Sequence, residues 1–124
     1  LEKTSQTNSL GSTSAHQNLV HLILIELTKK KLGVFWKNST GTAMSFDLKR
    51  VIKYGLAGSA DITGILKNGK RVEIECKTGK GKLHLRQKAF QKMILDHEGI
   101  YIVARSVDQV ISDIEKKRQP SFNA

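Results

Sequence analysis

The chain has one cysteine, one proline and no long hydrophobic run, and the first and last of these scarcities exclude classes of protein. A lone Cys76 makes neither an internal disulfide nor a cysteine-built zinc site, so the sequence does not describe a disulfide-stapled secreted scaffold, and a reducing compartment is expected. The longest apolar stretch, Leu19 to Leu27, is interrupted by His21 and Glu26 and falls far short of the roughly 20 residues a membrane span needs. Nothing before it reads as a signal peptide, and no membrane partner is expected. Acidic residues are also scarce. Against 11 Asp and Glu stand 21 Lys and Arg, and the net charge of +10 favours polyanionic partners, DNA or RNA. A merely solvated basic surface is the plain alternative. A length of 124 residues suits one compact α/β core and leaves no room for a second domain of ordinary size.

Residues 1–13, rich in Ser, Thr, Asn and Gln, read as a flexible tail or cloning remnant, residues 14–119 as the domain, and 120–124 as a C-terminal tail. Ser14 is placed to cap a helix running to about Lys31, where Gly33 stops it behind three lysines that suit the helix dipole. The apolar residues of this helix exceed one stripe, which calls for a second partner: another copy of the chain, or another element of the same core. Strand character follows at Val34 to Trp36, Val51 to Tyr54, Asp61 to Leu66, Arg71 to Lys77 and Ile100 to Ala104. The Asn68-Gly69 turn predicts an antiparallel hairpin between the third and fourth of these. A helical stripe of Leu85, Ala89, Phe90, Met93 and Ile94 then crosses to the last strand, which implies a parallel pair. Ser106 opens a final helix with Val107, Val110, Ile111 and Ile114 inward, ending before Pro120. The expected fold is therefore α/β, a central mixed sheet flanked by helices, with a C-terminal helix.

Side chains alternate along Val72 to Lys77, so Val72, Ile74 and Cys76 are expected to face the core while Glu73, Glu75 and Lys77 form a charged face. Across the hairpin, Asp61 begins its strand behind Gly58-Ser59-Ala60, and two carboxylates and a lysine converge. Carboxylate oxygens of Asp61 and Glu75 suit Mg²⁺ or Mn²⁺, with the backbone carbonyl of Cys76 as a further ligand and water activated by the metal as the nucleophile. Lys77 is placed to orient or deprotonate that water and to stabilise charge developing on a phosphate. As bare spacing this pattern is weak, because opposite charges often alternate on exposed strand faces. The following Gly79-Lys80-Gly81-Lys82 and a helix bearing Gln87 make it more specific.

The string from Tyr54 through Gly58-Ser59-Ala60-Asp61 to Gly64, then Ile74-Glu75-Cys76-Lys77, then Gly81-Lys82-Leu83 and Gln87, resembles the virus-type replication-repair nuclease (VRR-NUC) family, a branch of the PD-(D/E)XK nucleases. The resemblance spans roughly residues 14 to 112. It implies a restriction-endonuclease-like core in αβββαβ order and a Mg²⁺- or Mn²⁺-dependent phosphodiesterase with Asp61, Glu75, Lys77 and Gln87 as site residues. It also implies a Holliday-junction-resolvase-like homodimer acting on branched or four-way DNA in a bacterial or phage-infected cytoplasm. Two positions depart from the family. Where members begin the first helix with a Ser-Glu-His-Gln-like string, this chain reads Ser14-Ala15-His16-Gln17, so the acid is missing at Ala15 and the chain is expected to be weakened or inactivated there. His84 stands where a serine is more usual, and reads as a surface histidine without a ligand role.

Lys37, Asn38, Thr40, Arg50, Lys80, Lys82 and Arg86 are the expected phosphate contacts, with ordinary solvated charge as the alternative. Trp36 and Phe46 are the aromatics able to stack on an unpaired base, although a single tryptophan more often belongs to the core. Two further functions compete with junction cleavage: duplex nicking by an isolated nuclease module, and a non-catalytic basic domain that coats nucleic acid.

Overall fold

A computed structural model describes residues 11–118. Expectations for residues 1–10 and 119–124 lie outside the described residues. The chain runs α1 (Gly11–Lys30), β1 (Gly33–Lys37), β2 (Gly41–Met44), β3 (Val51–Tyr54), β4 (Ile62–Leu66), β5 (Arg71–Cys76), α2 (Leu85–Asp96), β6 (Ile100–Ala104) and α3 (Val107–Arg118). Four strands form one sheet in the order β1-β4-β5-β6. It is mixed: β1 and β5 each run antiparallel to β4, whereas β6 is parallel to β5. Strands β2 and β3 pair with each other in a separate two-stranded sheet.

Local chemistry accounts for these connections. Asn68-Gly69 turns β4 into β5, with Gly69 in the left-handed region at φ 88° and its N–H donating to the Leu66 carbonyl. A parallel neighbour for β5 needs a crossover, and α2 supplies it. Ser106 Oγ accepts the Gln109 N–H at 3.2 Å, so this serine starts α3 as expected. Ser14, in contrast, is no cap: the helix is already formed at Gly11, and Ser14 lies within its first turns.

The larger core lies between the sheet and the pair α1 and α3. Val20, Ile23 and Leu27 of α1, and Val110 and Ile114 of α3, pack on Ile62, Val72, Ile74, Cys76 and Ile102. Position 16 continues the same helical face as 20, 23 and 27, so His16 points toward the same sheet one turn earlier. A second apolar side of α1 is partly met by α3, while Leu22 and Ile25 remain about half exposed. On the opposite face, α2 buries Phe90 and Ile94 against Ala60 and Tyr101.

Three expectations about that opposite face need correction. Glu73 and Glu75 are buried rather than part of an open charged face, because α2 and the segment leading to it cover this end of β5 and β6. Glu73 Oε2 accepts from the Thr63 hydroxyl and from Arg71 Nε, which replaces part of its lost hydration, while Oε1 is buried without a partner among the described residues. Leu85, Ala89 and Met93 do not pack inward with Phe90 and Ile94: all three are exposed, because α2 meets the sheet chiefly along β6, at its edge. Trp36 is not core: no helix covers β1 and β4 here, and Val34, Trp36 and Ile65 all lie open. Among the described residues, no helix is long and apolar enough to cross a membrane.

Packing on one side of α1 predicts an asymmetric response to truncation. Leu27→Ala should lower unfolding free energy by about 2–5 kcal/mol, and Leu22→Ala should stay within about 0.5 kcal/mol, both read from urea titrations. A loss at Leu22 as large as at Leu27 would mean that the outer side of α1 is also covered in solution.

Candidate active site

The antiparallel register of β4 and β5 pairs Ile62 with Ile74, so Asp61, the residue before β4, falls opposite Glu75. The backbone then locks the first carboxylate in place. Asp61 Oδ2 accepts the Cys76 N–H at 2.8 Å and lies 3.1 Å from His16 Nε2. Ligand-capable atoms of His16, Asp61 and Glu75 all lie within 4.8 Å of one another. Three elements, α1 and the facing ends of β4 and β5, thus meet at one point.

Glu75 is held from two further sides. Gln87 Nε2 donates to Glu75 Oε2 at 3.1 Å, while Gln87 Oε1 accepts the His84 N–H at 2.9 Å, which fixes the amide orientation. The two bonds make Gln87 a strut between the start of α2 and the site. Gly58 allows the loop before Asp61 to lie against α2: its φ is 85°, and a Cβ there would come within 2.6 Å of the Arg86 carbonyl oxygen. On the same strand end, Lys77 Nζ lies 3.8 Å from Glu75 Oε2 with only 13 % of its side chain exposed.

Burial and the neighbouring Asp61 charge push the Glu75 carboxyl up to about 8, and Lys77 opposes the rise only in part. Two carboxylates in this position repel, and a divalent cation would relieve that repulsion. The donor set fits one: carboxylate oxygens suit Mg²⁺ and Mn²⁺, and the imidazole of His16 tips the preference toward Mn²⁺. Cys76 puts its thiol into the core, where burial and the two nearby carboxylates push it up to about 12, so it is an inert side chain on a backbone that serves the site.

Asp61, Glu75, Lys77 and Gln87 come together as the sequence predicts, and the expected phosphate contacts divide. Lys37 pairs in register with Ile62 and is exposed beside Asp61. Lys80 and Lys82 are exposed on the loop that leaves β5. Arg86 is exposed on the first turn of α2. Thr40 sits at the root of the β2–β3 hairpin and Arg50 near its far end. Asn38 faces inward instead. Its side-chain amide donates to Ser59 Oγ and the Ala60 carbonyl, and its N–H donates to the Asp61 carbonyl, so it braces the approach to Asp61. Ala15 is exposed, one residue from His16, with no side-chain reach of its own.

Sequence reasoning left two residues of the site without a role. His16 carried a usable signal, since it shares the inward helical face with Val20, Ile23 and Leu27. Arg105 carried none. It donates to the carbonyls of Gly79 and Gly81 at 3.2 and 2.7 Å, clamping the loop that carries Lys80 and Lys82, and only the parallel pairing of β6 with β5 brings it there. No known family model matches the chain, and no characterised protein matches its sequence.

The raised Glu75 pKa has a defined consequence for stability. Between about pH 4.5 and 8 the folded, metal-free chain keeps a proton on Glu75 that the unfolded chain has released. Stability should therefore fall as pH rises through this window, and Glu75→Gln should remove that part of the slope in thermal melts with EDTA. An identical slope in the variant would mean that Glu75 ionises in the folded state like an exposed carboxylate.

Proposed function

We propose that the chain is a divalent-metal-dependent endonuclease that hydrolyses DNA phosphodiesters, with branched DNA such as four-way junctions as its substrate class. The convergence of Asp61, Glu75, Lys77 and Gln87 on one point carries this reading. A basic surface and the VRR-NUC-like motifs support it. With the β2–β3 hairpin set aside, the elements run α1, β1, β4, β5, α2, β6, which is compatible with a PD-(D/E)XK core followed by a C-terminal helix. A homodimer and a bacterial or phage-infected cytoplasm belong to the same reading, and the open Leu22 and Ile25 leave α1 available for a second copy.

Asp61 and Glu75 would hold Mg²⁺ or Mn²⁺, with the Cys76 carbonyl and His16 as further candidate donors. When bound, the cation supplies Lewis-acid polarisation of the scissile phosphate and makes water a better nucleophile. Lys77 orients the attacking water and offsets charge on the phosphate as the bond to the leaving oxygen breaks. Gln87 keeps Glu75 turned toward the site. Lys37, Lys80, Lys82 and Arg86 hold the flanking phosphates without reading bases.

Ala15 favours a second reading for this chain, a nucleic-acid-binding domain that has lost its chemistry. Cleavage of a four-way junction, a flap and a plain duplex in Mg²⁺ and Mn²⁺ separates the possibilities. The nuclease reading expects the junction to be cut first, Lys77→Ala to lose about 100- to 1,000-fold in rate, and Ala15→Glu to gain activity. Equal cutting of all three DNAs would point to a duplex-nicking module. Salt-sensitive binding with no cleavage by any variant would leave only the binding domain.

A further inference from the structure

The β2–β3 hairpin takes no part in the chemistry, yet it grows directly from the site. Its first strand follows Lys37 and Asn38, and its second leads through Gly55 to Ala60 into Asp61. It shares no ladder with the four-stranded sheet. Four residues per strand at about 3.3 Å each carry its tip roughly 13 Å from its root. A lone two-stranded ribbon is marginal in water, and this one exposes Met44, Val51 and Ile52 along its length.

Its tip is nevertheless tightly built. Ser45 and Arg50 close the turn through Ser45 N–H to the Arg50 carbonyl at 2.7 Å and Arg50 N–H to Ser45 Oγ at 3.0 Å. The Ser45 hydroxyl donates to Asp47 Oδ1 at 2.6 Å, and the same oxygen accepts the Lys49 N–H at 3.1 Å, so the one acid of the turn is spent inside it. Leu48 is held at φ 63°, a left-handed conformation that costs a leucine energy and persists only where the surroundings enforce it. This ordered turn presents Phe46 with its whole surface exposed and Leu48 at 72 %, flanked by exposed Lys49, Arg50 and Lys53.

We infer that the β2–β3 hairpin is a wedge whose tip residue Phe46, beyond the roughly 13 Å length of its strands, inserts against unstacked bases at a branch point or other break in DNA stacking. The inference rests on the nuclease reading for its substrate and deepens it by naming what recognises DNA shape. Charge selects nucleic acid over a second copy of the chain as the occupant. A two-fold contact through the tip brings Lys49, Arg50 and Lys53 close to the same residues of the other copy, whereas phosphates neutralise all three. An exposed aromatic beside such cations suits base stacking, which tolerates any base because every base has a π-face. A preordered turn loses little further entropy on insertion.

The test is binding of the full chain, in EDTA so that no DNA is cut, to a four-way junction carrying 2-aminopurine at the branch and to a duplex carrying it mid-helix. Wild type should raise the fluorescence of the junction probe and leave the duplex probe unchanged. Phe46→Ala should abolish the rise and weaken junction binding by about 5- to 150-fold, with duplex binding unaltered, and Phe46→Trp should restore both. Phe46 is fully exposed, so a circular-dichroism melt matching wild type is expected and shows that a loss is not unfolding. Equal fluorescence and affinity for Phe46→Ala and wild type would overturn the wedge. A shift from dimer to monomer in light scattering by Phe46→Ala, without a fluorescence change, would overturn it in favour of a second copy. Because the readout needs no cleavage, a Phe46-dependent signal stands even if no metal supports cutting, and cleavage without that signal sinks the wedge while sparing the nuclease.

Discussion

Everything at the candidate site follows from forcing two carboxylates together at one end of a sheet. The register of β4 and β5 sets Asp61 opposite Glu75, and the Cys76 N–H holds Asp61 there. Burial first, and the neighbouring Asp61 charge second, make Glu75 easy to protonate, which is the physical content of its raised pKa. Around it the fold collects donors from otherwise unrelated elements: His16 from α1, Gln87 from α2 and Lys77 from the end of β5. A purely structural charge ladder would not need a histidine from one helix and a two-ended amide strut from another.

The parts of this arrangement written in local sequence were the ones legible in advance. Asn68-Gly69 fixes a hairpin, a hairpin fixes a register, and alternation along Val72 to Lys77 says which side chains share a face. The crossover through α2 to a parallel β6 follows from element order alone. What stayed hidden depends on partners distant in the chain. Nothing local tells β3 to pair with Gly41–Met44 instead of joining the main sheet. Nothing local shows that α2 covers Glu73 and Glu75 but leaves Trp36 and Ile65 open. Arg105 acts through a loop 24 to 26 residues earlier, and that proximity exists only once β6 lies beside β5. His16 is the intermediate case, since periodicity gave its face but not its contact.

The same separation assigns tasks within the molecule. Deep packing between the sheet and α1 and α3 supplies a rigid frame, and the site sits at the edge of that frame where strands end and loops begin. The surface proposed to recognise DNA shape is set apart, in a hairpin that returns to the site through the segment ending in Asp61. Positive charge is spread over both, on Lys37, Lys80 and Lys82 beside the carboxylates and on Lys49, Arg50 and Lys53 along the hairpin. On the proposed function, binding and chemistry would rest on different residues and be separable by mutation.

The central claim is that Asp61 and Glu75 form a cation site, and Mn²⁺ titration followed by electron paramagnetic resonance addresses it without reference to any substrate. Free Mn²⁺ signal should disappear on addition of wild-type chain, fail to do so with Asp61→Asn or Glu75→Gln, and persist more strongly with His16→Ala than with wild type. Equal Mn²⁺ uptake by wild type and both carboxylate variants would contradict the account.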